Sequence, residues 1–401
     1  MIMKKNAYTT VPERFLKPYQ LPKEKLDKAI KEALEKLENN LPRWKSGFVR
    51  RAGRDGEGVN KYIESENTRW PHGMNTGIYW LAYELSGNEK FKEVAEQMLP
   101  TYQYRLDNKI GFGDHDVGFV YTPSCVAAYK KFGHTEIKDM LLEAADYYYR
   151  TGYSQKGGFI LRIWKNQHIE GCCRTMMDTM MNAPFLFWAG QETGKKEYTD
   201  AALSQNKITA EYLIREDGSS FHHYQFDVES HKPKYGLTLQ GHSDDSCWSR
   251  GHAWGIYGFP IAYSYVNEDF LVDIHKDVTF FMLNHLPEDL IPYWDYDFVS
   301  GNQPRDSSAG AISVCGMLEM ARLLPEDAPE KAIYESAAAQ MMEALIDKCA
   351  GDQGFEYDGL ICHVTAALPQ GSGIDGIGVY GDYYYLEALM RFAHPDWEKY
   401  W

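Results

Sequence analysis

Three stretches of the chain repeat one spacing of apolar residues. Leu26, Ala29, Ile30, Ala33, Leu34 and Leu37 fall at offsets 0, 3, 4, 7, 8 and 11. Phe91, Val94, Ala95, Met98, Leu99 and Tyr102 follow the same spacing, as do Ile137, Met140, Leu141, Ala144, Ala145 and Tyr148. This spacing gathers the apolar side chains on one face of a helix whose other face is charged. Looser versions at 198–215, 269–285 and 330–348 bring the one-faced helices to six.

Between them lie segments that are apolar nearly all round and rich in Gly, Ala and aromatics, at 73–85, 122–132, 175–189, 251–265, 308–324 and 382–392. A helix without a polar face is buried on every side. Thr122-Pro123 sets an N-cap residue before a proline at the first helical position, and predicts that one buried helix begins there. Six wet and six buried helices alternate, which predicts an all-α fold, an α6/α6 barrel of helical hairpins with an inner and an outer ring. It is read as a single domain over 1–401, with 1–22 an N-terminal extension. The returns from outer to inner helices are long, at 46–69, 106–121, 151–173, 216–247, 286–307 and 350–381, and must gather at one end of the ring. Short alternating runs such as Phe159–Trp164 predict small β hairpins within them.

Composition narrows the function. The net charge of -15 argues against nucleic acid as a partner. No apolar run approaches a membrane span, no signal core follows Met1-Ile2-Met3-Lys4-Lys5, and the 7 cysteines are odd in number and irregularly spaced. A reducing cytoplasm is the expected setting, without membrane association, and both a monomer and a homodimer stay open. An aromatic share of 14%, with 29 Tyr and 10 Trp, suits a carbohydrate cleft as well as a core.

The polar–aromatic motifs fall in the long returns or at the starts of buried helices. Asp178 lies among Met176, Met177, Met180 and Met181, where burial would raise its pKa and favour a donating acid, against the pull of a helix first turn. Asp116 follows His115 in Gly113-Asp114-His115-Asp116-Val117-Gly118-Phe119 and reads equally as a turn residue. In Trp248-Ser249-Arg250-Gly251-His252-Ala253-Trp254, two aromatic faces suit a sugar ring and the guanidinium suits a bidentate carboxylate; a Trp-rich core with Arg250 capping a carbonyl is the alternative. Asp382 reads as a helix N-cap. His222, His223, His242 and His252 match no zinc spacing, so no metal and no cofactor are expected.

At these motifs the chain resembles the unsaturated glucuronyl hydrolases of glycoside hydrolase family 88. The resemblance runs from about Trp70 to Arg391 and is carried by His115–Phe119, Met177–Asn182 with Pro184, Ser246–Phe259 and Gly381–Met390. It implies an enzyme that removes a 4,5-unsaturated uronic acid from the non-reducing end of lyase-generated oligosaccharides, by hydrating the C4=C5 double bond. It assigns Asp178 as general acid and base, with Asp116 assisting. Trp70, Trp248 and Trp254 become aromatic contacts, and His115, His222, Gln240 and Arg250 polar contacts to the sugar. The related unsaturated rhamnogalacturonyl hydrolases, and a non-catalytic sugar-binding barrel, are the alternatives. Two departures stand out. Leu239 replaces a histidine common before the Gln-Gly pair, and the stretch 365–373 lacks the lysine of relatives that take sulfated units, which argues against a strong preference for sulfate. The long 46–69 return is expected to shape the part of the cleft beyond the uronate.

Overall fold

The structure, a computed structural model, describes residues 8–52, 58–163 and 168–401. Residues 1–7 of the extension, 53–57 of the first long return, and Trp164 therefore lie outside the described residues.

A short helix α1 (Glu13–Leu16) precedes the first outer helix α2 (Lys23–Asn40). The strands β1 (Val49–Arg51) and β2 (Tyr62–Glu64) form a hairpin before the inner helix α3 (His72–Ser86). Outer α4 (Glu89–Met98) and α5 (Pro100–Asp107) are nearly continuous, broken where Pro100 cannot donate a backbone hydrogen bond. The second inner helix comprises α6 (Val117–Tyr121), a wide turn over Thr122–Val126, and α7 (Ala127–Lys131), followed by outer α8 (Lys138–Gly152). Two-residue strands β3 (Tyr153–Ser154) and β4 (Phe159–Ile160) pair next, and β5 (Arg174–Met176) leads into inner α9 (Pro184–Thr193) and outer α10 (Lys196–Ile208). A three-stranded sheet of β5, β6 (His223–Phe226) and β7 (Pro233–Leu237) then caps that side. The ring is completed by α11 (Ser249–Val266) with α12 (Asp269–His285), α13 (Ser307–Leu323) with α14 (Pro329–Cys349), and α15 (Val379–Ala393), which packs on α3 and on the first outer helix α2.

These are the six inner and six outer segments that the apolar spacing predicts. Inner helices bury nearly every residue: α11 is buried from Ser249 to Ala262 and α13 from Ser307 to Met317. Small residues allow the close approach this needs. A Cβ on Gly316 would lie 2.5 Å from the carbonyl oxygen of Ile256 on the neighbouring inner helix. One hydrophobic core runs from Val11 to Trp401. No helix among the described residues is long and apolar enough to cross a membrane.

Three sequence expectations are corrected. The second inner helix starts at Val117, not at Thr122-Pro123. Pro123 lies inside it, and the helix widens over Thr122–Val126 because proline lacks the N–H and its ring crowds the preceding turn. Residues 175–189 are not one helix: β5 ends at Met176, a 3-10 turn spans Met177–Met181, and the helix begins at Pro184. Asp382 is not an N-cap, since α15 begins at Val379. Its carboxylate accepts the backbone N–H of Leu360 (2.7 Å) and the hydroxyl of Tyr62 (3.0 Å) instead.

Candidate active site

The long returns meet over one end of the inner ring and enclose a cavity of about 670 Å³. One wall carries Arg50, Arg51 and Tyr62 from the β1–β2 hairpin, with Trp70 beside them; another carries Asp114, His115 and Asp116; Asp178, Trp248, Arg250 and Trp254 complete the inner surface. The rim is closed where two returns meet. Gln240 donates to the carbonyl of Ala366 (3.2 Å), and Gln370 donates to the carbonyl of Leu239 (2.7 Å).

Local structure explains why the two aspartates share this space. Asp116 immediately precedes α6. Asp178 is delivered by β5, whose last residue Met176 pairs with His223, and the N–H of Met177 then donates to the carbonyl of His222 at 3.0 Å. The 3-10 turn buries Met177, Met180 and Met181 and leaves Asp178 turned to the cavity, its side chain 15% exposed. Asp116 is 20% exposed. Asn182 joins the segments by accepting the N–H of Phe119 (2.8 Å) and donating to the carbonyl of Asp178 (2.9 Å).

The electrostatics divide the pair. Burial above all, with the charges of Asp114 and Asp178, pushes Asp116 up to about 7 against the pull of His115. Burial also pushes Asp178 up, but its contact with His222 and the charges of His115 and Arg250 outweigh it and hold the carboxyl below the ordinary aspartate value. This corrects the expectation of a raised Asp178. The methionines do desolvate it, yet the fold sets an imidazole 3.3 Å away (His222 Nε2 to Asp178 Oδ2). Of the two carboxyls, Asp116 is therefore the one shifted toward its protonated form. Neither that carboxylate oxygen nor either ring nitrogen of His222 has an aligned hydrogen-bond partner among the described residues. His115 is opposite in character: burial disfavours its charge, but Asp116 and Asp114 prevail and push it up to about 9.

Aromatic rings line the remainder. Trp70 stacks on Tyr380 with centroids 5.4 Å apart. The Arg250 guanidinium lies between Trp248 and Tyr380, 4.6 and 4.7 Å from their rings. It pairs with buried Asp306 and donates to the carbonyls of Thr365 (2.6 Å) and Ala366. The expected free bidentate fork is therefore largely committed within the protein, because burial of a guanidinium demands partners. Trp254 is 1% exposed, and its indole N–H has no partner among the described residues.

The glycosyl hydrolase family 88 profile matches residues 48–391. This chain belongs to Glycosyl Hydrolase Family 88. It is a glycosidase of the unsaturated glucuronyl hydrolase type. The chain is 42% identical over 391 residues to an unsaturated chondroitin disaccharide hydrolase of Streptococcus pneumoniae, covering 97% of each chain. The crystal structure of an unsaturated glucuronyl hydrolase from Streptococcus agalactiae superimposes with a TM-score of 0.92 at 37% identity, covering 99% of this chain and 98% of that one. A variant of the latter, complexed with dGlcA-GalNAc6S, superimposes with a TM-score of 0.84 at 35% identity and covers all of both chains.

Of the residues the family resemblance singled out, Trp70, His115, Asp116, Asp178, Gln240, Trp248, Arg250 and Trp254 all line this family 88 cavity. His222 does not line it. It stands behind Asp178, fully covered, with its ring 4.4 Å from that of Trp248. His252 is a buried core histidine held by Ser220 and the carbonyl of Val278. Sequence reasoning missed Arg50, Arg51, Arg69 and Arg162, which together with Arg250 ring the cavity with positive charge in an acidic chain. It also missed Asp114, Tyr62 and Tyr380. The doubled arginine in the first long return, and the polar Arg162 alternating with Leu161 and Ile163, were the available signals.

Proposed function

We propose that this family 88 enzyme removes the unsaturated uronate from chondroitin-type disaccharides, with Asp178 as the proton-transferring group and Asp116 as its partner. The observation that carries the reading is the pair of carboxyls that share one cavity under a ring of arginines, with burial pushing Asp116 up to about 7 and the His222 contact holding Asp178 below the ordinary aspartate value. Pairs of titratable groups with divergent environments are the mark of divided acid and base roles.

The substrate brings its own carboxylate and displaces water from the cavity. Both effects raise the pKa of a nearby carboxyl, so Asp178 gains a proton in the complex. Asp178 then protonates C4 of the C4=C5 double bond, leaving an oxocarbenium-like centre at C5. Water adds at C5 and gives its proton back to the carboxylate. The product is a hemiketal, which opens and releases the sugar beyond. One proton leaves the acid and one returns, so the enzyme ends as it began. The arginine ring supports capture of the anion despite the net charge, and Trp70 offers an aromatic ring to the sugar. Names and complexes of the relatives point to a hexosamine in that leaving position, including a 6-sulfated one.

Turnover of unsaturated chondroitin disaccharides, followed as loss of the ultraviolet absorbance of the double bond, tests the function. Asp178→Asn is expected to keep binding in calorimetry and to lose turnover by about 100- to 10,000-fold. A fully active Asp178→Asn enzyme would remove the assignment.

A further inference from the structure

The carboxylate of Asp114 is bound twice by the residue that follows it. Asp114 Oδ1 accepts the backbone N–H of His115 at 2.7 Å and also contacts the ring Nδ1 of His115. The other ring nitrogen, Nε2, is thereby turned toward Asp116, 3.2 Å from its Oδ1 though without an aligned hydrogen bond. The backbone around this unit is fixed from two sides. The N–H of His115 also lies 3.2 Å from the carbonyl of Arg162, and Tyr148 donates its hydroxyl to the carbonyl of His115 at 3.0 Å. An imidazole 2% exposed and flanked by carboxylates on both ring nitrogens cannot rotate without losing both contacts.

We propose that Asp114 is a positioning residue of the catalytic site, locking His115 so that its Nε2 edge faces the carboxylate of Asp116. The assignment rests on the reading of Asp116 and Asp178 as the reacting pair. It changes the role of His115 from a sugar contact to a fixed cation whose pull on Asp116 opposes the effect of burial. The neighbouring charges fit the role. Asp178 acts on the imidazole from the 3-10 turn, and His222 and His223 from just before β6 and its start, while Arg162 from the 151–173 return and Arg105 from α5 act on Asp116. The carboxylates outnumber the cation closest to them, so the imidazole carries its charge in their midst and is pushed up to about 9. Removal of one flanking carboxylate must lower that value, because an opposite charge that stabilises the imidazolium is gone.

The experiment uses the full chain with unsaturated chondroitin disaccharide, and begins with wild-type turnover. Absence of wild-type turnover would sink the functional reading and not this one. Wild-type His115, observed by nitrogen NMR of labelled histidine, is expected to be an imidazolium at pH 7.5. Asp114→Asn keeps an acceptor for the backbone N–H. It is expected to lower the His115 titration by at least about one pH unit. It should also lower kcat/KM at pH 8 by about tenfold, with little change in KM, and Asp114→Glu should restore most of the loss. A neutral His115 in the wild-type enzyme overturns the proposal. So does an Asp114→Asn pH profile that superimposes on wild type. Loss of activity on chelation with recovery on adding a divalent cation would also overturn it, because the three side chains would then be ligands rather than a positioning unit.

Discussion

The backbone N–H of Phe119 and the side-chain oxygen of Asn182 are joined at 2.8 Å, so the two segments that carry Asp116 and Asp178 are tied through one amide. The same amide donates to the carbonyl of Asp178. Gly118 permits the approach: a Cβ there would lie 2.4 Å from the Cα of Asn182. Asn182→Ala leaves the buried N–H of Phe119 without a partner. It is expected to lower stability by about 1–3 kcal/mol. It should also reduce kcat more than it raises KM. Urea unfolding and steady-state kinetics on the same preparation check both parts.

The unlike carboxyls give a pH signature. Asp116, pushed up to about 7, holds its proton below that pH and releases it above. The proton that Asp178 gains on binding is available from Asp116 only while Asp116 is protonated, so kcat/KM should fall as pH rises through about 7 in the free enzyme. Binding of an anionic sugar raises the carboxyl values further, so the corresponding limb of kcat should lie at higher pH. Coincident limbs would contradict a substrate-induced shift.

Arg250 and Asp306 form a buried pair, 3% and 0% exposed, at the edge of the cavity. Asp306→Ala leaves a desolvated guanidinium without its counter-charge. It is expected to cost about 3–5 kcal/mol of stability, measured by chemical denaturation. Because Arg250 is held between Trp248 and Tyr380, KM should rise in parallel. An unchanged KM would place the guanidinium outside the substrate's reach.

Glu319 serves as a contrast, since it does not line the cavity. It is buried against Arg391 (2.8 Å), Lys399 (2.9 Å) and Arg322 (2.8 Å), whose charges outweigh burial and hold it well below the usual glutamate range. Glu319→Gln is expected to destabilise by about 3–5 kcal/mol while leaving kcat at 25 °C within about twofold of wild type. A depressed carboxyl stabilises the fold above its unfolded value and loses that contribution as pH falls through its folded value. The stability difference between variant and wild type should therefore stay constant from pH 8 to 5 and shrink below about pH 4. Denaturation midpoints across that range test the sign.

Much of the fold was legible because burial leaves a period in the sequence. One-faced and all-round apolar segments separated outer from inner helices, and the long returns located the cavity end. The motifs around Asp116, Asp178 and Trp248–Trp254 were legible as a family resemblance. What failed were inferences from local rules. Thr122-Pro123 looks like a helix start, yet packing on α3 holds the chain helical through the proline. Asp382 looks like a cap, yet loop N–H groups 21 and 22 residues away in sequence claim its carboxylate.

The amino-acid order alone determined the ring of hairpins, because hydrophobic periodicity is a property of neighbours along a chain. Tertiary contact decided which carboxyl is pushed up and which is held down. Asp178 meets His222, and Asp116 comes under the charge of Asp178, only after β5 pairs with β6 and α6 docks on Asn182. A pKa depends on charges a few ångströms away in space, and no spacing in the sequence encodes those distances.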